Sequence, residues 1–200
     1  MPVVTPAIVL AAGASSRMGR PKALLAAGGR TFIRRILDTL RDADLSDAVV
    51  VVRPDAGEVI REISSARFGR AIVNTDPTRG QLSSLVTGLD AIDGPRAAAV
   101  LVTLVDVPLV EVATVRALLT RAPHSAAPIV RATYRGRHGH PVIFKRELFD
   151  ALRRADPEIG AKAVFRAHAI EDVDVDDPGV VQDVDTPDDY HRVIDGSRAP

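Results

Sequence analysis

The apolar positions of this chain fall into two alternating rhythms. Val3–Leu10, Ala48–Val52, Ala71–Asn74 and Ala97–Val105 are short, rich in β-branched residues and nearly unbroken, which predicts buried strands. Between them, Phe32–Leu40, Ala56–Ala66, Leu82–Ile92 and Val112–Thr120 space their apolar residues at the helical period. Such alternation predicts an α/β fold: a Rossmann-like, mostly parallel twisted sheet with helices on both faces. Further along, the rhythm loosens. Ala127–Thr133 and His140–Phe144 read as strands around "YRGRHG", whose two glycines predict a turn, while Arg146–Arg154 and Ala161–His168 read as helices. Thr186-Pro187, followed by acidic residues, predicts a capped helix start over Thr186–Val193. No repeat or low-complexity linker interrupts the pattern, so residues 1–195 are expected to form a single domain and 196–200 a frayed tail.

Composition narrows the function classes. The chain has 200 residues, 46% hydrophobic and 26% charged, enough to bury a substantial core. Its formal net charge is zero, which argues against nucleic acid or an anionic membrane as partner. The absence of cysteine excludes disulfides, thiolate metal sites and a thiol nucleophile. The apolar start "MPVVTPAIVLAAGA" has no basic region before it, and no window approaches the ~20 apolar residues of a membrane span. A cytoplasmic setting is the expectation. Lysine occurs at three positions only, Lys22, Lys145 and Lys162, against twenty-three arginines. A lysine in that background points to a site that wants a compact ammonium rather than a planar fork.

Candidate chemistry concentrates at strand ends. In "VLAAGASSRMGRPKALL" (9–25), a strand runs into the small residues Ala11, Ala12, Gly13 and Ala14, then delivers Arg17 and Lys22. At the carboxyl edge of a parallel sheet, bare backbone of this kind lets phosphate oxygens approach main-chain N–H groups, and exposed loop cations neutralise them. Neither G-x-G-x-x-G nor G-x-x-x-x-G-K-[ST] is present, so an ordinary strand–helix connection with incidental cations is the competing reading. Asp106 ends the apolar strand of "LVTLVDVPLV" (101–110), well placed to hold Mg²⁺; it also fits a plain strand terminus, with Glu111 available to cap the next helix. The acidic run 171–190 reads mainly as solvated surface, yet Asp185 precedes the helix start at Thr186 and could share a metal with Asp106. Spacing alone does not separate Asp185 from Asp183. In "NTDPTRGQLSSLVTGL" (74–89), Asn74 ends a strand, and Gln81, Ser83 and Ser84 offer an amide and hydroxyls to a nucleobase or an anion; Ser83 serves equally as a helix cap.

Together, "LAAGASSRMGRPK" (10–22), "GQLSSL" (80–85), "LVDVP" (104–108), "GHPVIF" (139–144) and "DVDTPDDY" (183–190) resemble the MobA-like nucleotidyltransferases of the sugar-nucleotide pyrophosphorylase fold, in order and over nearly the whole chain. The resemblance implies attack by an acceptor phosphate on the α-phosphorus of an NTP, with pyrophosphate released. It places Leu10, Ala11, Ala12, Gly13, Asn74, Gln81, Ser84 and Asp106 at the nucleotide, and Arg17 and Lys22 at the triphosphate as catalytic cations. It assigns Asp106 and Asp185 to Mg²⁺, in preference to Asp183. "LAAG" and "GHPVIF" look like the cytidylyltransferase branch that acts on the molybdenum cofactor, which implies CTP, a molybdopterin-type acceptor and a molybdoenzyme or chaperone as partner. Where that branch has G-D-x-G-A-R, this chain reads "PEIGAKAVF" (157–165), with Lys162 in place of the arginine; His140 and Lys162 are the acceptor contacts it implies. A guanylyl or sugar-phosphate transferase, and a nucleotide-binding module without catalysis, are the alternatives.

Overall fold

The structure, a computed structural model, describes residues 4–13 and 18–195. Its first part runs β1 (Ala7–Leu10), β2 (Ala26–Ala27), β3 (Arg30–Thr31), α1 (Phe32–Asp42), β4 (Ala48–Val52), α2 (Gly57–Ser65), β5 (Arg70–Val73), α3 (Gly80–Ile92) and β6 (Ala99–Leu104). The second part runs α4 (Val112–Arg121), β7 (Ile129–Tyr134), β8 (Arg137–Lys145), α5 (Phe149–Arg154), α6 (Lys162–Ala167), β9 (Ile170–Asp174) and α7 (Pro187–Tyr190). Seven strands form one sheet in the order β5-β4-β1-β6-β8-β7-β9, and β2 pairs with β3 in a separate hairpin. β8 runs antiparallel to both neighbours, whereas β5, β4, β1 and β6 pair in parallel, as do β7 and β9. The expected α/β architecture with helices on both faces is what the chain adopts.

Alternation along the central strands sends side chains to two cores. Ala7, Val9, Val50 and Val52 pack with α1, α2 and α4 on one face; Ile8, Val49 and Val51 pack with α3, α5 and α6 on the other. α1 shows why its segment is helical. Phe32, Ile33, Ile36, Leu37 and Leu40 lie on one stripe, all buried, and each such burial is worth about 1.5–3 kcal/mol. α3 is held unusually close to the sheet. A Cβ at Gly88 would stand 2.7 Å from Ile8 Cγ2 and 3.0 Å from Val51 Cγ2, so only glycine lets this helix settle there.

Several expectations change in detail. β1 starts at Ala7 rather than Val3, because Pro6 has no N–H for a ladder; Val4 makes a single bridge to Ala97. β6 stops at Leu104, and Val105 turns to donate its N–H to Leu10 O. α3 begins at Gly80, so Ser83 lies inside the helix and is not its cap. The turn in "YRGRHG" is confined to Arg135 and Gly136, both at positive φ, and the second glycine, Gly139, lies inside β8. The hairpin of β2 and β3 was not foreseen. Nor is the acidic run all solvated surface: Ile170–Asp174 is edge strand β9, and Asp177 is 2% exposed. Asp177 accepts from Glu111 N at 2.9 Å and Thr114 Oγ1 at 2.6 Å, so it caps α4 from across the chain, and Glu111 does not cap through its own side chain.

Candidate functional site

Because β1, β4 and β6 are parallel neighbours, their carboxyl ends open on one edge, and the sheet order reverses direction between β1 and β6. That is where α/β sheets bind ligands. A cleft of about 540 Å³ lies there, within the range of small-molecule sites. Leu10, Ala12 and Gly13 form one side of it, Gln81 and Ser84 from the first turns of α3 another, and Lys22, Asp106 and Asp185 a charged mouth. Two of the residues assigned to the nucleotide lie behind this surface. Ala11 is half-buried against the core and donates its N–H to Val51 O at 2.9 Å. Asn74 is 3% exposed and donates Nδ2 to Ser83 Oγ at 2.9 Å and Ser84 Oγ at 3.0 Å. Asn74 therefore orients Ser84 instead of facing the cleft. Arg17 lies outside the described residues, as does the tail 196–200.

The charged mouth is assembled by long-range packing. Leu25, Ala27 and Phe32, which follow Lys22, pack against Val184, Val193 and Ile194. Tyr190 stacks on Phe32 with ring centroids 6.2 Å apart and donates its hydroxyl to Ala26 O at 2.7 Å. Val184 N donates to Asp106 O at 2.9 Å, which lays Asp185 beside Asp106. A capping box between Thr186 and Asp189 fixes the next turn, and Asp189 Oδ2 also accepts from Asp185 N at 3.3 Å. As a result Lys22 Nζ bonds Asp185 Oδ1 and lies 3.7 Å from Asp106 Oδ2. The Lys22 side chain is 13% exposed, which corrects the expectation of an exposed loop cation: the clasp from the C-terminal segment covers it.

Asp106 carries the most perturbed carboxyl of the mouth. Burial pushes its pKa up, the negative charge of Asp185 adds to the rise, and Lys22 opposes it. Its Oδ1 is buried without a hydrogen-bond partner. A bare carboxylate oxygen beside a second carboxylate suits a hard divalent cation such as Mg²⁺, which takes one or two carboxylates and fills its shell with water and phosphate oxygens. Among the described residues no cluster of three or more His, Cys, Asp or Glu could form an all-protein cage.

A second cleft, of about 490 Å³, continues from the first past Leu10, Gly80, Gln81 and Leu104. His140 and Lys162 lie in this one, away from the charged mouth. His140 has its imidazole pKa lowered by burial, with Arg131 adding to the effect, and its Nδ1 is buried without a partner.

Arg53 and Thr78, on the wall of the first cleft, were missed. Arg53 directly follows β4, so the strand-end logic applied to Ala11–Ala14 and Asp106 would have found it.

Comparison with known proteins agrees with this geometry. Residues 7–173 match the model of the MobA-like NTP transferase domain. Nicotine blue oxidoreductase of Paenarthrobacter nicotinovorans is 32% identical, over 97% of this chain and 98% of its own. The crystal structure of Rv0371c from Mycobacterium tuberculosis H37Rv superposes with a TM-score of 0.82 at 31% identity, covering 98% of this chain and 99% of that one. Its complex with manganese superposes at 0.78, with 30% identity and coverage of 96% and 99%. The chain belongs to the family of MobA-like NTP transferase domains.

Proposed function

We propose that this protein is a Mg²⁺-dependent nucleotidyltransferase that moves CMP from CTP onto a phosphorylated acceptor of the molybdopterin type. The observation that carries the reading is the charged mouth: Lys22, Asp106 and Asp185 converge beside a bare Leu10–Gly13 backbone. In the reaction an acceptor phosphate oxygen forms a bond to the α-phosphorus, the bond to the β-phosphate oxygen breaks, and pyrophosphate leaves. This in-line chemistry asks for positioning and charge neutralisation rather than a protein nucleophile. Ala12 and Gly13 admit the phosphates to the backbone, while Gln81 and Ser84 flank base and sugar. Lys22 neutralises the triphosphate, with Arg17 as second cation. Asp106 and Asp185 would hold Mg²⁺, which when bound would neutralise charge on the phosphates. The setting is the cytoplasm, where nucleoside triphosphates are available; among the described residues no helix is long and apolar enough to cross a membrane.

Pyrophosphate release and thermal shift across CTP, GTP, ATP and UTP, each with and without Mg²⁺, test this reading. CTP is expected to give the largest metal-dependent shift, and release is expected once acceptor is added. Another nucleotide leading would move the reading to a guanylyl or sugar-phosphate transferase. Binding without release in any pairing would leave a nucleotide-binding module.

One observation favours a second reading. One relative that matches over nearly the whole chain is an oxidoreductase by name, and two contiguous clefts could hold a nucleotide cofactor and a second substrate side by side. Consumption of NADH or NADPH without pyrophosphate release would establish that reading in place of transfer.

A further inference from the structure

The Lys22 ammonium stands where its two acid neighbours would meet a metal. It bonds Asp185 Oδ1 and lies 3.7 Å from Asp106 Oδ2, so it bridges the two carboxylates. A Mg²⁺ ion held by both acids needs an oxygen of each at about 2.0–2.1 Å. A second cation in that space would meet the ammonium at contact range, where like charges repel most strongly. The ammonium and the metal therefore exclude each other. Solvent reaches the pair from the side of Asp185, whose side chain is 44% exposed against 13% for Lys22.

The residue type suits a temporary occupant. A guanidinium grips a carboxylate through two parallel bonds, as Arg131 grips Asp172 at 2.8 and 3.2 Å. An ammonium is a compact point charge on a flexible stem, close to a metal ion in kind and able to swing aside. Lys22 also lines the first cleft together with Ala12 and Gly13, so a displaced ammonium stays over the backbone read as the phosphate seat.

We propose that Lys22 keeps the metal seat: its ammonium neutralises Asp106 and Asp185 in the resting protein, yields to a divalent cation, and turns toward the phosphates. The inference rests on Asp106 and Asp185 as metal ligands and, for its last step, on the first cleft as the triphosphate site. Metal and triphosphate then favour each other, because the triphosphate gives the displaced ammonium a new partner.

The test follows the ammonium itself. The chain has three lysines, so protein labelled at the lysine ε-carbon gives three NMR signals, and Lys22→Gln identifies the one from Lys22. Without ligands the Lys22 methylene should be rigid. Saturating Mg²⁺ should shift it and free its motion while Lys145 and Lys162 stay unchanged, and inorganic pyrophosphate added next should restore rigidity. Asp106→Asn at the same Mg²⁺ should show no such release. Mn²⁺, followed by its spin-resonance signal, should bind Lys22→Gln about tenfold more tightly than the parent, the scale of one hydrogen bond to a charged group. A methylene that stays rigid while Mg²⁺ binds, or one that pyrophosphate leaves mobile, would overturn the exchange and leave the metal site standing. Equal Mn²⁺ affinity in parent and Lys22→Gln would overturn it too, and Mn²⁺ bound by neither would remove the metal ligands with it. If Mg²⁺ frees Lys22 but no triphosphate yields pyrophosphate, transfer fails and the exchange stands.

Discussion

The Lys22 ammonium lies 3.7 Å from the Asp106 carboxylate while it bonds Asp185, so one cation serves an acid from the middle of the chain and another from its C-terminal segment. Replacing Lys22 by Ala is expected to cut turnover by at least ~10²-fold, the scale for losing a preorganised charge in a transition state. Its burial adds a second effect. Without the ammonium, Asp106 and Asp185 face each other uncompensated, and the melting temperature should fall. Mg²⁺ should recover the melting temperature without recovering turnover. Wild-type pyrophosphate release from the Lys22→Ala protein would remove Lys22 from the mechanism.

Asp106→Asn is expected to separate stability from function. The Asp106 pKa is raised in the folded state, chiefly by burial, so the folded protein binds this proton more tightly than the unfolded chain does. Stability from this group is therefore greatest in acid and is lost as pH rises through the ordinary carboxylate range to the raised value. The neutral amide escapes that loss. In melts without divalent metal, Asp106→Asn should match the unaltered protein in acid and exceed it at neutral pH, while metal-dependent release disappears. A variant less stable at neutral pH than in acid, relative to the parent, would show that the Lys22 pairing outweighs burial.

Ala12 is 7% exposed and lines the first cleft. Under the proposed function its methyl group should favour CTP over the larger GTP, and a single methyl discriminates by only about 1–3 kcal/mol. Ala12→Gly is thus expected to narrow the CTP–GTP gap without abolishing activity, read from the competition of the two nucleotides under matched Mg²⁺. GTP binding to the unaltered protein as tightly as CTP would end the cytidylyl reading and leave the transferase class intact.

Gly139 meets the protein from the other side. A Cβ there would stand 2.1 Å from the Val180 carbonyl oxygen, too close for any real contact, so β8 or the turn Pro178–Val181 must move. Gly139→Ala should destabilise by about 1–3 kcal/mol, the range for overpacking. Chemical denaturation reads that loss.

How much was legible in the sequence depended on how local each signal was. β4 coincides with its expected span Ala48–Val52, because five buried aliphatic residues admit no other reading. Ala12, Gly13 and Asp106 were visible as strand-end chemistry, whereas Leu10 came from the resemblance alone. Asp185 was separable from Asp183 only by resemblance: both flank the fully buried Val184, and which one meets Lys22 depends on a clasp that involves Phe32 and Tyr190. The burial of Lys22 was hidden for the same reason. β9 escaped notice because an edge strand with one solvated side carries acids where a central strand carries valines. Asp177 looked like one more surface charge, and only the positions of Glu111 and Thr114 in space reveal a buried cap.

The reversal of β8 sets how the protein can diversify. Running against β6, it returns its first residues, His138 to His140, to the same rim where β1 and β6 end. The first cleft is thereby written by residues 10–106 with Asp185, and most of the second by residues 131–165. The two share little beyond Leu10, Gly80, Gln81 and Leu104. Changes in the later segment can therefore reshape the second cleft while the residues around Lys22 and Asp106 stay as they are, because the two clefts draw on different stretches of chain.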